Sequence, residues 1–75
     1  MNNLRRKRLQ KVIEQLEWVK EEIELINDEE REAYENLPES LQDSERGTQM
    51  SDNIDILEEA ADNIDEILDS IGEIE

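Results

Sequence analysis

The stretch that decides the fold is residues 48–75, TQMSDNIDILEEAADNIDEILDSIGEIE, which carries ten carboxylate side chains and neither lysine nor arginine. Its apolar residues recur at alternating spacings of four and three, the pattern of one buried seam along an α-helix. The seam consists of Met50, Ile54, Leu57, Ala61, Ile64, Leu68 and Ile71. A lone helix would expose this seam to water, and its carboxylates would repel one another. We therefore predict that the segment is one half of a coiled coil.

The first part of the chain supplies a second seam with the same spacing. Its predicted members are Leu9, Val12, Leu16, Val19, Ile23, Ile26, Glu30 and Ala33. Glu30 is the one charged residue of this set, and three roles remain open for it: a partly exposed position near the turn, a polar group that sets the register, or a site carboxylate. The length of the seam predicts a long helix.

A proline marks the connection between the two helices. Pro38 disfavours the helical conformation at Leu37, so the first helix is predicted to end near Asn36. Ser44 is predicted to start the second helix. The chain is therefore read as a single domain of residues 1–75, with helices at about residues 3–36 and 44–73 and a partly helical turn at about residues 37–43.

One glycine falls inside the second predicted helix. Gly47 costs about 1 kcal/mol relative to alanine at such a position. We expect it to permit close approach of the facing helix near Ala33 or Tyr34.

We predict an all-α fold, an antiparallel two-helix hairpin of the coiled-coil type, with two hairpins pairing into a four-helix bundle. Five of the eight basic side chains lie in the first eleven residues, where cations oppose the helix dipole. Folding back would bring the acidic end of the second helix beside them. The expected neighbours are Asp65, Asp69 and Glu73 beside Arg5, Arg8 and Lys11.

An antiparallel coiled coil also predicts which seam residues face one another. The preferred register pairs Leu9 with Ile71, Val12 with Leu68, Leu16 with Ile64, Val19 with Ala61, Ile23 with Leu57, Ile26 with Ile54 and Glu30 with Met50. The alternative is shifted by one heptad toward the turn and places Ile26 opposite Ala61. Contact between Leu9 and the last turn of the second helix supports the preferred register.

Composition argues against most catalytic chemistry. The chain has no cysteine and no histidine, which removes thiolate zinc sites, cysteine nucleophiles and the usual general base at neutral pH. Asp52, Asn53 and Asp55 are spaced like the start of an EF-hand loop, but no glycine stands at the sixth position. We therefore expect no enzyme activity, no cofactor and no metal site.

The formal charge of −15 argues against direct binding of nucleic acid or an anionic membrane, and it favours a basic partner. No apolar run is long enough to span a bilayer, and the basic start is not followed by a signal-peptide core. We therefore expect a soluble, cytoplasmic protein. The basic start leaves a nucleic-acid or enzymatic role open as a third, minor hypothesis.

Residues 36–50, NLPESLQDSERGTQM, are followed by the acidic run DNIDILEEAADNIDEIL. From Leu9 onward the chain resembles small, uncharacterised acidic helical proteins of bacterial and phage origin. The resemblance implies a helix, a turn and a helix, and it brings no activity or site with it.

Two functions are predicted from the residues outside the seams. The first is a non-catalytic protein–protein interaction module that uses an apolar stripe to dimerise with itself or, as the second choice, to dock on a host protein. The predicted stripe is Leu4, Trp18, Leu25, Ile56, Ala60, Ile67 and Ile74.

The alternative is a DNA mimic that inhibits a DNA-binding or defence protein of the host by imitating phosphates with carboxylates. The predicted acidic face is Asp52, Asp55, Glu58, Glu59, Asp62, Asp65, Glu66 and Asp69. The same charges also suit a solvated face that keeps a small helical protein in solution.

Overall fold

A computed structural model describes residues 1–75, and α-helices are its only regular secondary structure. The elements are α1 (Asn3–Glu35), α2 (Glu39–Gln42) and α3 (Glu45–Gly72), and the two long helices pack against each other. The prediction of an all-α chain with two long packed helices is confirmed.

Local side chains explain where the long helices begin. The Asn2 side chain accepts a hydrogen bond from the Arg5 backbone N–H at 2.8 Å. Ser44 Oγ accepts one from the Gly47 backbone N–H at 3.3 Å. Each cap satisfies a donor that has no partner within its own helix. After α1, Pro38 is the N-cap of α2, a helix of a single turn.

Gly47 is buried at the start of α3, where α2 folds against it. A Cβ atom at this position would collide with the backbone carbonyl of Gln42 and would lie 2.6 Å from that of Leu41. Glycine is therefore needed because the backbone of α2 lies against α3. The nearest atoms do not belong to Ala33 or Tyr34, so the prediction of a close approach by α1 is wrong.

The inward-facing residues of α3 are the ones that the sequence pattern predicts. They are buried or half-buried at alternating spacings of four and three, namely Met50, Ile54, Leu57, Ala61, Ile64, Leu68 and Ile71. The seam of α3 is therefore correctly read from sequence.

The seam of α1 differs from the predicted one at every second position. Its buried or half-buried members are Leu9, Ile13, Leu16, Lys20, Ile23, Asn27, Glu30 and Tyr34. Val12, Val19 and Ile26, which were predicted to face inward, have exposed fractions of 42%, 38% and 50%. Ala33 is also exposed. The helix is thus rotated so that Ile13 and Tyr34 enter the interface and the Lys20 ammonium reaches α3.

Two ion pairs between the long helices show that the preferred register is wrong. Lys20 Nζ lies 2.6 Å from Asp65 Oδ1, and Arg31 Nη2 lies 3.1 Å from Glu58 Oε2. The preferred register would instead set Arg31 level with a residue about nine positions from Glu58, or about 13 Å along the helix axis. When the observed seams are paired, α3 is shifted along α1 by about four residues, or about 6 Å, relative to the preferred register.

The open end of the hairpin still brings Leu9 close to the last turn of α3. Leu9 and Ile13 line one small cavity together with Ile71 and Gly72. The predicted proximity of Leu9 to this turn therefore occurs, although the preferred register does not. Proximity at the open end alone does not determine the register.

The molecule is long and thin, and its core is small. It extends over 58 × 15 × 12 Å with a radius of gyration of 17.2 Å, whereas a compact chain of this length has about 11 Å. Four residues are buried, namely Asn27, Gly47, Met50 and Ala61. The accessible surface is 6040 Å², roughly 1,200 Å² more than the ~4,800 Å² of a compact protein of this mass.

None of the helices combines the length and the hydropathy needed to cross a membrane.

Candidate interaction surface

A row of exposed apolar side chains follows one side of α1. Trp18 has an exposed fraction of 62%, and an open depression of about 610 Å³ lies beside it. Residues seven apart lie on the same side of a helix, which groups Trp18 with Leu25 and also groups Val12 with Val19 and Ile26. The complete row, called the α1 stripe, is Leu4, Val12, Trp18, Val19, Leu25 and Ile26.

A second row follows α3 and is called the α3 stripe. It consists of Ile56, Ala60, Ile67 and Ile74, of which three are exposed and Ala60 is half-buried. The last three repeat every seven residues and therefore share one side of the helix. All seven residues of the predicted interaction face thus lie in the two stripes, and Ala60 alone is partly covered by the hairpin itself.

Three members of the α1 stripe were not predicted, because the sequence pattern assigned them to the inner seam. In the sequence, Val19 directly follows Trp18 and Ile26 directly follows Leu25, while Val12 lies seven residues before Val19. These adjacent apolar residues were the signal that could have identified the wider stripe. A helix with apolar residues on two sides has two surfaces to cover, and pattern alone does not say which one faces α3.

The predicted acidic face lies along α3 and is mostly exposed. Of its eight residues, Asp65 alone is half-buried, and the others, Asp52, Asp55, Glu58, Glu59, Asp62, Glu66 and Asp69, are exposed. Only Asp65 and Glu58 form ion pairs, with Lys20 and Arg31. Six of the eight carboxylates therefore have no cation within 4 Å.

The ion pairs predicted at the open end do not form. Arg5, Arg8 and Lys11 make no ion pair, and Asp65 pairs with Lys20 instead. The physical reason is the changed register together with the flexibility of exposed side chains, whose ordering in an ion pair gives little free energy. Five cations at the start of α1 consequently remain available for contacts outside the hairpin.

Lys20 occupies an inward position that would suit an apolar residue. Its ammonium lies 2.6 Å from Asp65 Oδ1 and 3.4 Å from Glu24 Oε1. The hydrogen bond that it donates to Asp65 raises the pKa of Lys20 above 10.5, with the charges of Asp65 and Glu24 adding to the rise and desolvation opposing it. Its aliphatic stem covers the seam while the charge reaches water.

Asn27 lies seven residues after Lys20 in the seam of α1. It is 7% exposed, and its Oδ1 accepts no hydrogen bond. It lines a polar cavity of about 350 Å³ between the helices, together with Arg31, Ala61 and Asp62. A polar residue at an inward coiled-coil position lowers stability and restricts register and partner choice. Glu30, the third polar residue of this seam, is half-buried and forms no ion pair.

No group of three or more carboxylates is arranged to hold a metal ion. No protein-family model, curated protein or solved structure matches the chain. The resemblance to small acidic bacterial and phage proteins therefore stays a prediction.

Proposed function

We propose that this protein is a small, acidic, non-catalytic interaction module that works as a homodimer through the two apolar stripes. The observation that carries the proposal is the exposure of the large α1 stripe side chains on a chain with four buried residues. Contiguous apolar patches beyond a few hundred Å² on a small protein typically mark an interaction site.

The arrangement of the hairpin follows from the order of its ion pairs. From Lys20 to Arg31 the residue number rises, whereas between their partners Asp65 and Glu58 it falls. We infer that the helices form an antiparallel coiled coil, in which corresponding flanks of the two helices lie side by side. The ion pairs occupy one flank, so the α1 and α3 stripes share the other. Together they are called the apolar face.

The elongated hairpin carries more surface than a stable dimer interface needs to cover. A standard interface buries about 800 Å² of each partner, and the chain carries roughly 1,200 Å² more surface than a compact protein of its mass. Two hairpins packed face to face would form a four-helix bundle, in which such stripes make a common core. Trp18 is the expected anchor, because buried tryptophans often contribute most to interface energy.

The oligomeric state tests this proposal directly. Size-exclusion chromatography with light scattering is expected to report a dimer of the 8.9 kDa chain. Leu25→Glu should raise the dissociation constant about tenfold or more, because a charge would be buried without a partner. Gln10→Glu is the matched control, since it adds the same charge to an exposed site of α1 outside the apolar face. A monomeric wild type at high micromolar concentration would overturn the proposal.

DNA mimicry is a second candidate, supported by the spacing of the acidic face. Its eight carboxylates extend from Asp52 to Asp69, about 25 Å along α3, or one per about 3.6 Å. One strand of duplex DNA carries a charge every ~3.4 Å. The test is displacement of a fluorescent duplex from a basic DNA-binding protein, followed at increasing salt. Mimicry expects displacement that weakens as salt screens the attraction, and its absence at low salt would exclude this candidate.

A further inference from the structure

We infer that the two copies pack with their ends reversed, so that the open end of each hairpin lies beside the middle of the other. This inference rests on the proposed homodimer and adds the relative direction of its subunits. It is carried by the uneven distribution of charge along the hairpin and by the position of the α1 stripe.

The Lys20–Asp65 ion pair divides the charge of the hairpin into two unequal parts. On the open side, residues 1–19 and 66–75 carry five cationic and six carboxylate side chains. On the turn side, residues 21–64 carry two cationic and sixteen carboxylate side chains. The net charge of the protein therefore lies almost entirely on the turn side.

This distribution favours reversed subunits. If both copies pointed the same way, the two turn sides would lie together, with helices about 8–10 Å apart. That distance is close to the Debye length of about 10 Å at 0.1 M salt, so the repulsion would be only partly screened. Reversal moves the turn sides to opposite ends of the dimer.

Four of the six α1 stripe residues are arranged symmetrically about Gln15, as a reversed pair requires, whereas Val19 and Leu25 mirror onto Lys11 and Arg5. Leu4 and Ile26 lie eleven residues to either side of Gln15, and Val12 and Trp18 lie three residues to either side. A twofold axis at Gln15 would therefore bring Leu4 opposite Ile26 and Val12 opposite Trp18. Such an interface uses the same patch on both subunits.

The charged residues within this region are also complementary after reversal. Arg8 and Glu22 lie seven residues to either side of Gln15, and neither forms an ion pair within the hairpin. In the reversed dimer Arg8 lies opposite Glu22 of the partner subunit. In subunits that point the same way, Arg8 would lie opposite a second Arg8. Complementary charges fix direction and register even where they add little affinity.

Site-specific cross-linking tests the direction. The chain contains no cysteine, so Leu4→Cys and Ile26→Cys each introduce one thiol at an exposed position of the α1 stripe. A mixture of the two variants is expected to give a disulfide-linked dimer on mild oxidation, whereas each variant alone should give little. Gln15→Cys is the positive control, because it lies on the twofold axis and should cross-link to itself.

The outcomes separate this inference from the proposed dimer. Self-linking of Leu4→Cys, or a light-scattering dimer without the mixed disulfide, would overturn the reversed direction and leave the dimer intact. A monomer in light scattering would overturn both. X-ray scattering gives an independent measure, since the reversed dimer should extend over about 75 Å, against 58 Å for one hairpin.

Discussion

Lys20 Nζ lies 2.6 Å from Asp65 Oδ1, and this contact joins the middle of α1 to the second half of α3. It places a cation at a position where the pattern calls for an apolar side chain. The contribution of this contact to the packing of the two helices therefore depends on the protonation of the Lys20 ammonium group.

We expect stability to fall in alkali because of Lys20. The hydrogen bond to Asp65 raises the pKa of Lys20 in the folded state above the usual 10.5. The stabilisation is therefore complete below pH 10.5 and is lost as the pH rises through the higher, folded-state pKa. Thermal unfolding of Lys20→Met should show less of this alkaline loss than the wild type. Equal loss in both proteins would assign the effect to other groups.

Asn27 lowers stability and limits the ways in which the seam can pack. Asn27→Leu should stabilise the protein by about 1–3 kcal/mol, because it removes a buried oxygen that has no hydrogen-bond donor. Urea denaturation measures the gain. If Asn27→Leu destabilises the protein, the Asn27 side chain must have a hydrogen-bond partner in solution.

The two glycines of α3 should respond oppositely to alanine. Alanine is favoured over glycine in a helix by about 1 kcal/mol. Gly72→Ala should gain up to this amount, because no atom lies within 4 Å of the added methyl group. Gly47→Ala should instead destabilise the protein, because the methyl group meets the backbone of Gln42 and Leu41. Melting temperatures of the two variants provide the comparison, and a gain at Gly47 would argue against the packing of α2.

Salt should strengthen the proposed homodimer. Each subunit has a formal charge of −15, so association brings like charges together, and raising the salt from 0.1 to 1 M shortens the Debye length from about 10 to about 3 Å. The dissociation constant from sedimentation equilibrium is therefore expected to fall. A complex between the acidic face and a basic protein should respond in the opposite direction. Dissociation of the homodimer by salt would indicate that attraction between charges holds it together.

The parts of the fold that could be predicted depend on local chemistry. The seam of α3 is unambiguous because its other sides are mostly acidic, and Ser44 caps the helix within one turn. The seam of α1 was not predictable in this way, because two sets of positions with spacings of three and four both contain Leu9, Leu16 and Ile23. Counting apolar residues favours the set that adds Val12, Val19 and Ile26, whose side chains are exposed. The set that faces α3 is determined by contacts across the hairpin, and the sequence of α1 alone does not contain this information.

The candidate site was partly predictable for the same reason. Trp18 and Leu25 were identified because they lie outside every seam, whereas Val19 was assigned to the core. The residues that a partner would cover and the residues that α3 covers are chemically alike. The two groups of residues can be distinguished only once the orientation of α1 against α3 is known.

The absence of any large side chain less than 2% exposed has a consequence for amide hydrogen exchange. In a lone hairpin every helical amide is close to water, so local opening should be frequent and protection low along both helices. Slow exchange would then appear only in subunits that have associated. The amides near Gln15 should be the most protected, and their exchange rates should fall as the protein concentration rises.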